Sequence, residues 1–211
     1  MTTTSIDDLR SLTALQLDAL REVANMGAGH AATALSQMTG STIMISVPTL
    51  HIARLEDVAP DLVAEEEPVA AVLMSMLGDL TGRTLLVFPK QTVMRLTEAM
   101  LRRPIGSSIA LGELERSAIK EAGNILSGAY MNALSDFMGM VLLPSPPALA
   151  IDMSSAVLTS TFLQFSGDLD FVFCVETEFL MHDVQERVRG FFLLIPDPAS
   201  LAVILRAIRM A

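Results

Sequence analysis

The second half of this chain repeats the first at a fixed offset of 99 positions. The first block reads EVANMGAGHAATALSQMTG from Glu22, and the second reads EAGNILSGAYMNALSDFMG from Glu121. A weaker echo follows, in which GRTLLVFP at 82–89 resembles GFFLLIP at 190–196. Structural repeats stack so that each buries the apolar face that its neighbour leaves open. We therefore expect both halves to contribute to one core.

Each half predicts the same order of elements, which begins with a long helix. The two helices cover about 13–39 and about 113–138, where apolar residues recur at helical spacing. Thr13 and Gln16 have the identity and spacing of a capping box, which predicts where the first helix begins.

A short extended segment with Pro48 or Pro147 follows each helix, and β-rich runs come next. The β-rich runs are 69–76 with 83–88 in the first half and, in the second, 188–195 with either 159–165 or 169–176. Gly78 to Gly82 has the composition of a hairpin connection. Terminal helices, about Lys90–Leu101 and Pro198–Arg209, complete the two halves.

This order of elements predicts a mixed α/β fold of the α+β kind. We expect a single pseudo-twofold domain over 1–211, in which repeats of about 1–104 and 105–211 share a mostly antiparallel sheet flanked by long helices. The break between the repeats is expected at RRPIG, from Arg102 to Gly106.

The composition excludes several classes of function. The formal net charge is −10, Trp is absent and Tyr occurs once, so no nucleic-acid partner is expected. No stretch approaches the roughly 20 apolar residues that a spanning helix needs, so we expect no membrane insertion. The first ten residues, MTTTSIDDLR, lack the apolar core of a cleavable secretory signal.

Residue types that bind metals are few and scattered. His30, His51 and His182 show no ligand spacing, so we expect no metal and no cofactor on this chain. The acidic run at 65–67 predicts a solvated loop. The one cysteine, Cys174, lies in an apolar run and predicts a small buried side chain in a reducing compartment. A cytoplasmic location is therefore expected.

The segment GAGHAA at 27–32 matches the relaxed dinucleotide pattern GxGxx[GA]. That pattern has physical meaning only where a strand leads into the glycines and a helix leaves them. Here the preceding residues already have helical periodicity, so the glycines fall within a continuing helix. We predict that they allow close packing of another backbone, and that no nucleotide binds.

Both long helices carry a glutamate and an asparagine three positions apart. At about 100° per residue the two side chains project from one face, together with the residue four positions before the glutamate. Exposed helix positions are commonly polar, but asparagine is a mediocre helix former, and its recurrence inside both helices favours a functional role. The full sets are Asp18, Glu22 and Asn25 in the first helix and Ser117, Glu121 and Asn124 in the second.

A carboxylate beside a carboxamide, without histidine, metal or nucleophile, is a poor active site by itself. The asparagine amide does not titrate usefully, but it donates and accepts hydrogen bonds at once and so orients a water molecule. Such a pair suits an electrophile that a partner has already activated. Phosphoryl transfer from an acyl phosphate is one such reaction, because its catalysis is mainly positioning of an in-line nucleophile.

The pattern [DS]-x3-E-x2-N-x22-P, which ends at Pro48 and again at Pro147, resembles the signature of the CheC/CheX/FliY family of chemotaxis phosphatases. Both copies are complete, so the resemblance spans essentially the whole chain, and 17–35 is especially similar to the CheC type. The resemblance implies a hydrolase that dephosphorylates phosphorylated CheY, the response regulator that sets flagellar switching.

The resemblance also implies roles for the repeated residues. Asn25 and Asn124 would place the hydrolytic water beside the phosphoaspartate of the receiver domain, and Glu22 and Glu121 would pair with the active-site lysine of the receiver. Mg²⁺ would be supplied at the receiver active site and not by this chain. Family members of the CheC type also bind CheD, the receptor deamidase, which is expected here as a second partner.

Alternatives remain open at this point. One is a non-catalytic receiver-binding protein of the flagellar switch, similar to the middle domain of FliM, which would have lost the Glu and Asn pair that this chain keeps twice. Another is a CheD-binding adaptor. A small-molecule enzyme at the boundary of the two halves is more distant, because no titratable groups converge there. A FliY-type protein is expected to carry a further C-terminal module beyond the 211 residues seen here.

Overall fold

The computed structural model describes residues 12–54, 67–107, 110–164, 171–181 and 186–210, which form five helices and eight strands. The helices are α1 Ala14–Thr39, α2 Lys90–Met100, α3 Glu113–Met138, α4 Ser154–Gln164 and α5 Pro198–Met210. The strands are β1 Ile43–Ile45, β2 Thr49–Arg54, β3 Pro68–Gly78, β4 Gly82–Pro89, β5 Leu142–Pro144, β6 Ala148–Met153, β7 Phe171–Met181 and β8 Glu186–Pro196.

The two long helices begin and end for local reasons. Thr13 Oγ1 accepts the N–H of Gln16 at 3.4 Å, and Gln16 Oε1 accepts the N–H of Thr13 at 2.9 Å, which closes the predicted capping box. The helices α1 and α3 end at Gly40 and Gly139, whose φ angles of 73° and 64° lie in the left-handed region that favours glycine. Both predicted helices are confirmed to within one residue.

One open sheet contains strands from both halves, and every strand pair in it is antiparallel. The order is β1–β7–β8–β4–β3–β5, with β2 also pairing β7 and β6 also pairing β3. The two segments of the weaker echo, β4 and β8, pair with each other at the centre, from Gly82↔Pro196 to Val87↔Phe191.

The halves also exchange strand partners at the edges of the sheet. β1 and β2 of the first half pair with β7 of the second, and β5 and β6 of the second pair with β3 of the first. Each half therefore obtains its edge hydrogen bonds from the other. The predicted fold class, two repeats sharing a mostly antiparallel sheet flanked by long helices, is confirmed.

The hairpin predicted between Gly78 and Gly82 joins β3 to β4, and both glycines have positive φ, 110° and 149°. A side chain at either position would also collide with neighbouring backbone, because a Cβ on Gly82 would lie 2.5 Å from the carbonyl oxygen of Ile195. The glycines at this turn are therefore required by both conformation and space.

In the second half the prediction of a strand at 159–165 is wrong, and the alternative at 169–176 corresponds to β7. The threonines and Phe162 in that run favour a strand by composition. The described part of the run, to Gln164, instead belongs to α4, whose Val157 is buried in a second apolar cluster. Packing of α4 across the sheet therefore outweighs the local β preference.

The helices divide between the two faces of the sheet. Side chains from α1, α2, α3 and α5 share one apolar cluster with one face of the strands, and Val157 of α4 shares the other cluster with Leu85, Val87 and Leu193. Within the described parts of the chain, no helix has the length and apolar character that crossing a membrane requires.

The helices α1 and α3 are antiparallel neighbours. Leu20 and Val23, near the start of α1, line one small apolar cavity with Met131 and Leu134, near the end of α3. Further along α1 the two backbones come close, since a Cβ on Gly27 would lie 3.1 Å from the Cα of Tyr130. The predicted role of Gly27 in close helix packing is confirmed.

Candidate functional site

The first candidate site is an outward stripe on α1, which we call stripe one, formed by Asp18, Glu22 and Asn25. All three side chains are exposed, while Val23 and Ala24 between them are buried against the sheet. This is the result of helical geometry, because positions three and four apart share a face and the intervening positions do not. The predicted common face of these residues is therefore present.

The second candidate site is the equivalent stripe on α3, which we call stripe two, formed by Ser117, Glu121 and Asn124. Ser117 and Glu121 are exposed, but Asn124 is half-buried. Both helices lie on the same face of the sheet and run antiparallel, so the stripes lie on neighbouring helices and point away from the sheet. The fold keeps the two stripes on separate helices, and each is a site of its own.

A glycine follows each asparagine by one helical turn. A Cβ built on Gly29 or on Gly128 would meet nothing within 4 Å. The prediction that Gly29 allows close packing of another backbone is therefore wrong, because that position faces open space. Since residues four apart are neighbours on a helix surface, these glycines leave the asparagine amides open to an approaching partner.

A basic residue precedes each glutamate, and the sequence reasoning missed it. Arg21 and Lys120 occupy equivalent positions 99 apart, and each lies one turn before an asparagine. Arg21 Nη1 donates to Asp18 Oδ1 at 2.8 Å. Lys120 makes no hydrogen bond or ion pair with any residue that the structure describes, and serine stands at the equivalent of Asp18. The signal that identifies these residues is the repeat itself.

The repeated Ala-Leu-Ser motif fixes the end of each long helix. Ser36 Oγ donates to the carbonyl of Ile43 at 3.0 Å and accepts its N–H at 2.9 Å, which ties α1 to β1. Ser135 Oγ donates to the carbonyl of Met140 in the second half. Pro48 and Pro147 lie between the two short strands that follow each helix. These shared residues therefore orient the helices and stand apart from the stripes.

A cavity of about 430 Å³ opens beside the C-terminal end of α1. Its wall includes Arg95, which donates to Glu98 at 2.9 Å and also pairs with Glu186. The Arg95 guanidinium holds the pKa of Glu186 below its usual range. None of the glutamates or asparagines of the stripes lines this cavity. The stripes are open surface, which suits a macromolecular partner better than a small substrate.

Other reactive groups do not contribute to the stripes. The described residues contain no group of three or more His, Cys, Asp or Glu side chains that would hold a metal ion. Cys174 is buried in β7, and burial raises the pKa of its thiol to about 12, so it is not a nucleophile. His182 and residues 65 and 66 of the acidic run lie outside the described residues.

Each stripe thus offers a carboxylate and an amide with no nucleophile beside them. A carboxylate pairs with a cation on a partner, and an amide orients a water molecule. Neither group alone activates an inert bond. The arrangement therefore suits a reaction whose electrophile and cation come from the partner.

Comparison with known proteins gives a consistent family. The sequence profile of the CheC-like family matches residues 15–52 and 114–151, which contain the two stripes. The chain is 31% identical over 184 residues to a protein named CheY-P phosphatase CheC from Bacillus subtilis, covering 86% of this chain and 88% of that protein. It is 26% identical over 146 residues to the flagellar motor switch phosphatase FliY of the same organism, covering 67% of this chain and 37% of that protein.

Solved structures agree with the fold. The crystal structure of Thermotoga maritima FliY has a TM-score of 0.78 at 24% identity and covers 95% of this chain and 98% of that chain. The FliM middle domain from H. pylori has a TM-score of 0.66 at 15% identity, covering 93% of this chain and 99% of that chain. At these identities the likeness concerns the architecture of two repeats on one sheet.

Proposed function

This chain belongs to the CheC-like family of chemotaxis proteins, and from that premise we propose that it is a phosphatase that hydrolyses the aspartyl phosphate of a CheY-type response regulator. The relative that is 31% identical to it is named a CheY-P phosphatase. The observation that carries the proposal is the presence of a Glu and Asn pair on the outward face of each long helix, with Glu22, Asn25 and Glu121 exposed and Asn124 half-buried.

In the proposed reaction each stripe docks on the phosphorylated face of the receiver domain. The amide of Asn25 or Asn124 holds a water molecule in line with the bond between phosphorus and the aspartate oxygen. The water oxygen bonds to phosphorus, the bond to aspartate breaks, and the carboxylate leaves with the electron pair. The products are inorganic phosphate and a free aspartate, and the proton that the water loses goes to the phosphate.

The glutamates have a different proposed role. Glu22 and Glu121 pair with the active-site lysine of the receiver and so fix how the partner sits on the helix. The receiver supplies Mg²⁺, which neutralises charge on the phosphoryl oxygens, so this chain needs no cofactor of its own. Gly29 and Gly128 fit this scheme, because a side chain there would stand beside the working amide.

CheD as a second partner and a cytoplasmic location are further proposals that rest on the family. Binding to CheD predicts that the two purified proteins elute together in size-exclusion chromatography at micromolar concentrations. Separate elution at those concentrations would remove CheD from the proposal and leave the phosphatase reaction as it stands.

The test of the proposed function is the decay of a phosphorylated receiver from the same organism, with catalytic amounts of this protein. The rate of phosphate release should rise with the wild-type chain. In the Asn25→Ala/Asn124→Ala double variant the acceleration should fall by about 100-fold or more, because the water is no longer positioned.

The matched control is Asn132→Ala. Asn132 is an exposed asparagine on α3 two turns after Asn124, so its replacement changes the same residue type in the same helix. It should retain wild-type turnover. Binding of the phosphorylated receiver without acceleration by the wild-type chain, in the presence or absence of CheD, would overturn the enzymatic proposal in favour of a receiver-binding switch protein.

A further inference from the structure

Each stripe has a basic residue at the equivalent position, but only the one on α1 is held in an ion pair. Arg21 and Lys120 each lie four positions before an asparagine, so the cation and the amide are neighbours on the helix surface. On α1 the side chains of Arg21 and Asp18 are 60% and 65% exposed and form an ion pair at 2.8 Å. On α3 the corresponding pair is absent, because Ser117 carries no charge.

Electrostatics make this difference relevant to an anionic partner. The carboxylate of Asp18 neutralises Arg21 and adds a negative charge to stripe one itself. Lys120 has no partner among the described residues, and the nearest acid one turn or more before it, Glu115, pairs with Arg103. A phosphorylated aspartate on a partner therefore meets a compensated cation at stripe one and an uncompensated cation at stripe two.

The net charge of the whole chain increases the weight of this local difference. At −10 the protein repels an anionic partner at long range, and salt shortens the range of that repulsion to about 8 Å at physiological ionic strength. Within that distance Arg21 and Lys120 are the positive charges nearest to each asparagine along its own helix. A free ammonium there also donates hydrogen bonds to phosphoryl oxygens.

We propose that Lys120 contacts the phosphorylated receiver and makes stripe two the tighter-binding site, and that Asp18 weakens stripe one by holding Arg21. This inference rests on the proposed function, because it takes an aspartyl phosphate as the group that docks. Position 18 in the first repeat and position 117 in the second are thus the residues that set the affinity of each site. Neither is catalytic, since both act through the neighbouring cation.

The experiment compares single-site proteins. Asn124→Ala leaves stripe one as the working site, and Asn25→Ala leaves stripe two. The KM for phosphorylated receiver should be about threefold to tenfold lower for stripe two, with similar kcat, which corresponds to about 0.7 to 1.4 kcal/mol. The difference should shrink as salt is raised from 50 mM to 500 mM, because the contact is between exposed charges.

Reciprocal exchanges then test the residues themselves. In the single-site proteins, Asp18→Ser should lower the KM of stripe one, and Ser117→Asp should raise the KM of stripe two, each by about threefold and with kcat unchanged. Lys120→Ala should raise the KM of stripe two by a similar factor, and Lys120→Arg should restore it. If these residues had a merely structural role, the variants would have altered unfolding midpoints. We expect their unfolding midpoints to equal that of the wild type.

Glu178→Gln is the matched control. Glu178 of β7 also forms an exposed ion pair, with Arg187 at 3.6 Å, but it alternates with Thr177 and Phe179, which face the helices, and so lies on the opposite face of the sheet. Removing its charge should leave the KM of both single-site proteins unchanged. A shift equal to that of Asp18→Ser would show a general effect of net charge and overturn the inference.

Failure of this inference is separable from failure of the proposed function. If neither single-site protein accelerates phosphate release, the phosphatase proposal is wrong, and binding of the beryllofluoride-treated receiver by fluorescence anisotropy still tests Lys120. Unchanged affinity in the Ser117→Asp and Lys120→Ala variants overturns the inference in either case. Turnover at both stripes with no response to the exchanges overturns the inference alone.

Discussion

The outward faces of α1 and α3 are nearly alike, but their buried faces have diverged. Next to Asn124 on α3 is Gly123, where a Cβ would lie 2.6 Å from Cγ1 of Val72 in β3. The equivalent residue on α1 is Ala24, which lines an apolar cavity of about 50 Å³. The helix α3 therefore packs tightly on the sheet at Gly123, whereas the equivalent position on α1 borders the cavity that lies between the two helices and the sheet.

This difference separates the outward residues, which form the stripes, from the buried residues, which set how each helix packs on the sheet. The residues of each stripe point outward, whereas Gly123 and Ala24 are buried against the sheet, so the two repeats differ at a position that contributes no side chain to the stripes. The two asparagines also differ in exposure, since Asn25 is exposed and Asn124 is half-buried. Under the proposed function the shared signature residues carry out one reaction at both sites, while the residues packed beneath the two helices differ.

The largest expected effect comes from adding a side chain at Gly123, where α3 contacts β3 closely. Gly123→Val places branched methyl groups against Val72 and should lower the free energy of unfolding by about 3 kcal/mol, the upper part of the range for overpacking. Ala24→Val on α1 should cost less than about 1 kcal/mol, because the cavity accepts added methyl groups. Urea unfolding measures both, and equal costs would contradict the contrast between the two helices.

A second contrast concerns Tyr130, whose equivalent on α1 is Ala31. The Tyr130 hydroxyl and Thr177 Oγ1 are 2.9 Å apart and buried, and the ring stacks on Phe192 with centroids 4.6 Å apart. Tyr130→Phe keeps the stacking but leaves the threonine hydroxyl unpaired, so unfolding should become easier by about 1 to 2 kcal/mol. A parallel Thr177→Val/Tyr130→Phe variant, in which neither group is left unpaired, should recover part of that loss.

Tyr130 also gives a pH prediction. Because it is the one tyrosine in the chain, tyrosinate absorbance reports its titration alone. Burial raises the pKa of Tyr130 to about 12. Because the pKa is higher in the folded protein, the unfolded chain loses the hydroxyl proton of Tyr130 at a lower pH. The contribution of the protonated hydroxyl to stability is therefore complete below about pH 10 and is lost as pH rises toward 12. Tyrosinate absorbance in the native protein should therefore appear near pH 12, and a midpoint near 10 would contradict its burial.

A smaller effect is expected at the open glycines. Gly29→Ala adds a methyl group where nothing lies within 4 Å, so the helix should be stabilised by about 1 kcal/mol. Under the proposed function, Gly29→Leu should instead reduce turnover in an Asn124→Ala background, because the side chain covers the amide of Asn25. Thermal unfolding and receiver dephosphorylation measured together separate the two effects.

The smallest effect on stability is expected from the ion pair on stripe one. Arg21 and Asp18 are both mostly exposed, and such pairs contribute about 0 to 1 kcal/mol. Asp18→Ser should therefore change the free energy of unfolding by less than about 0.5 kcal/mol, whatever it does to receiver affinity. A larger loss of stability would show that the pair supports α1 and would complicate its use as a test of binding.

Much of the candidate site was predictable from the sequence because it is helical. The capping box at Thr13, the terminal glycines and the spacing of Glu22 and Asn25 all act within a few residues of one another. The bounds of both long helices and the common face of each stripe followed from this local information. The basic residues Arg21 and Lys120 recur at the same offset, but they differ in residue type, so a match of identical residues does not reveal them.

The sequence by itself determined the two helices, the outward direction of their polar residues and the hairpin at Gly78–Gly82, because hydrogen bonds within a helix or a tight turn join residues at most a few positions apart. Only the tertiary structure decided how the halves join, since β4 pairs with β8 more than 100 positions away, from Gly82 to Pro196. It also decided that α4 is a helix and that Asn124 is half-buried. Those outcomes depend on which surfaces meet, and no local pattern carries that information.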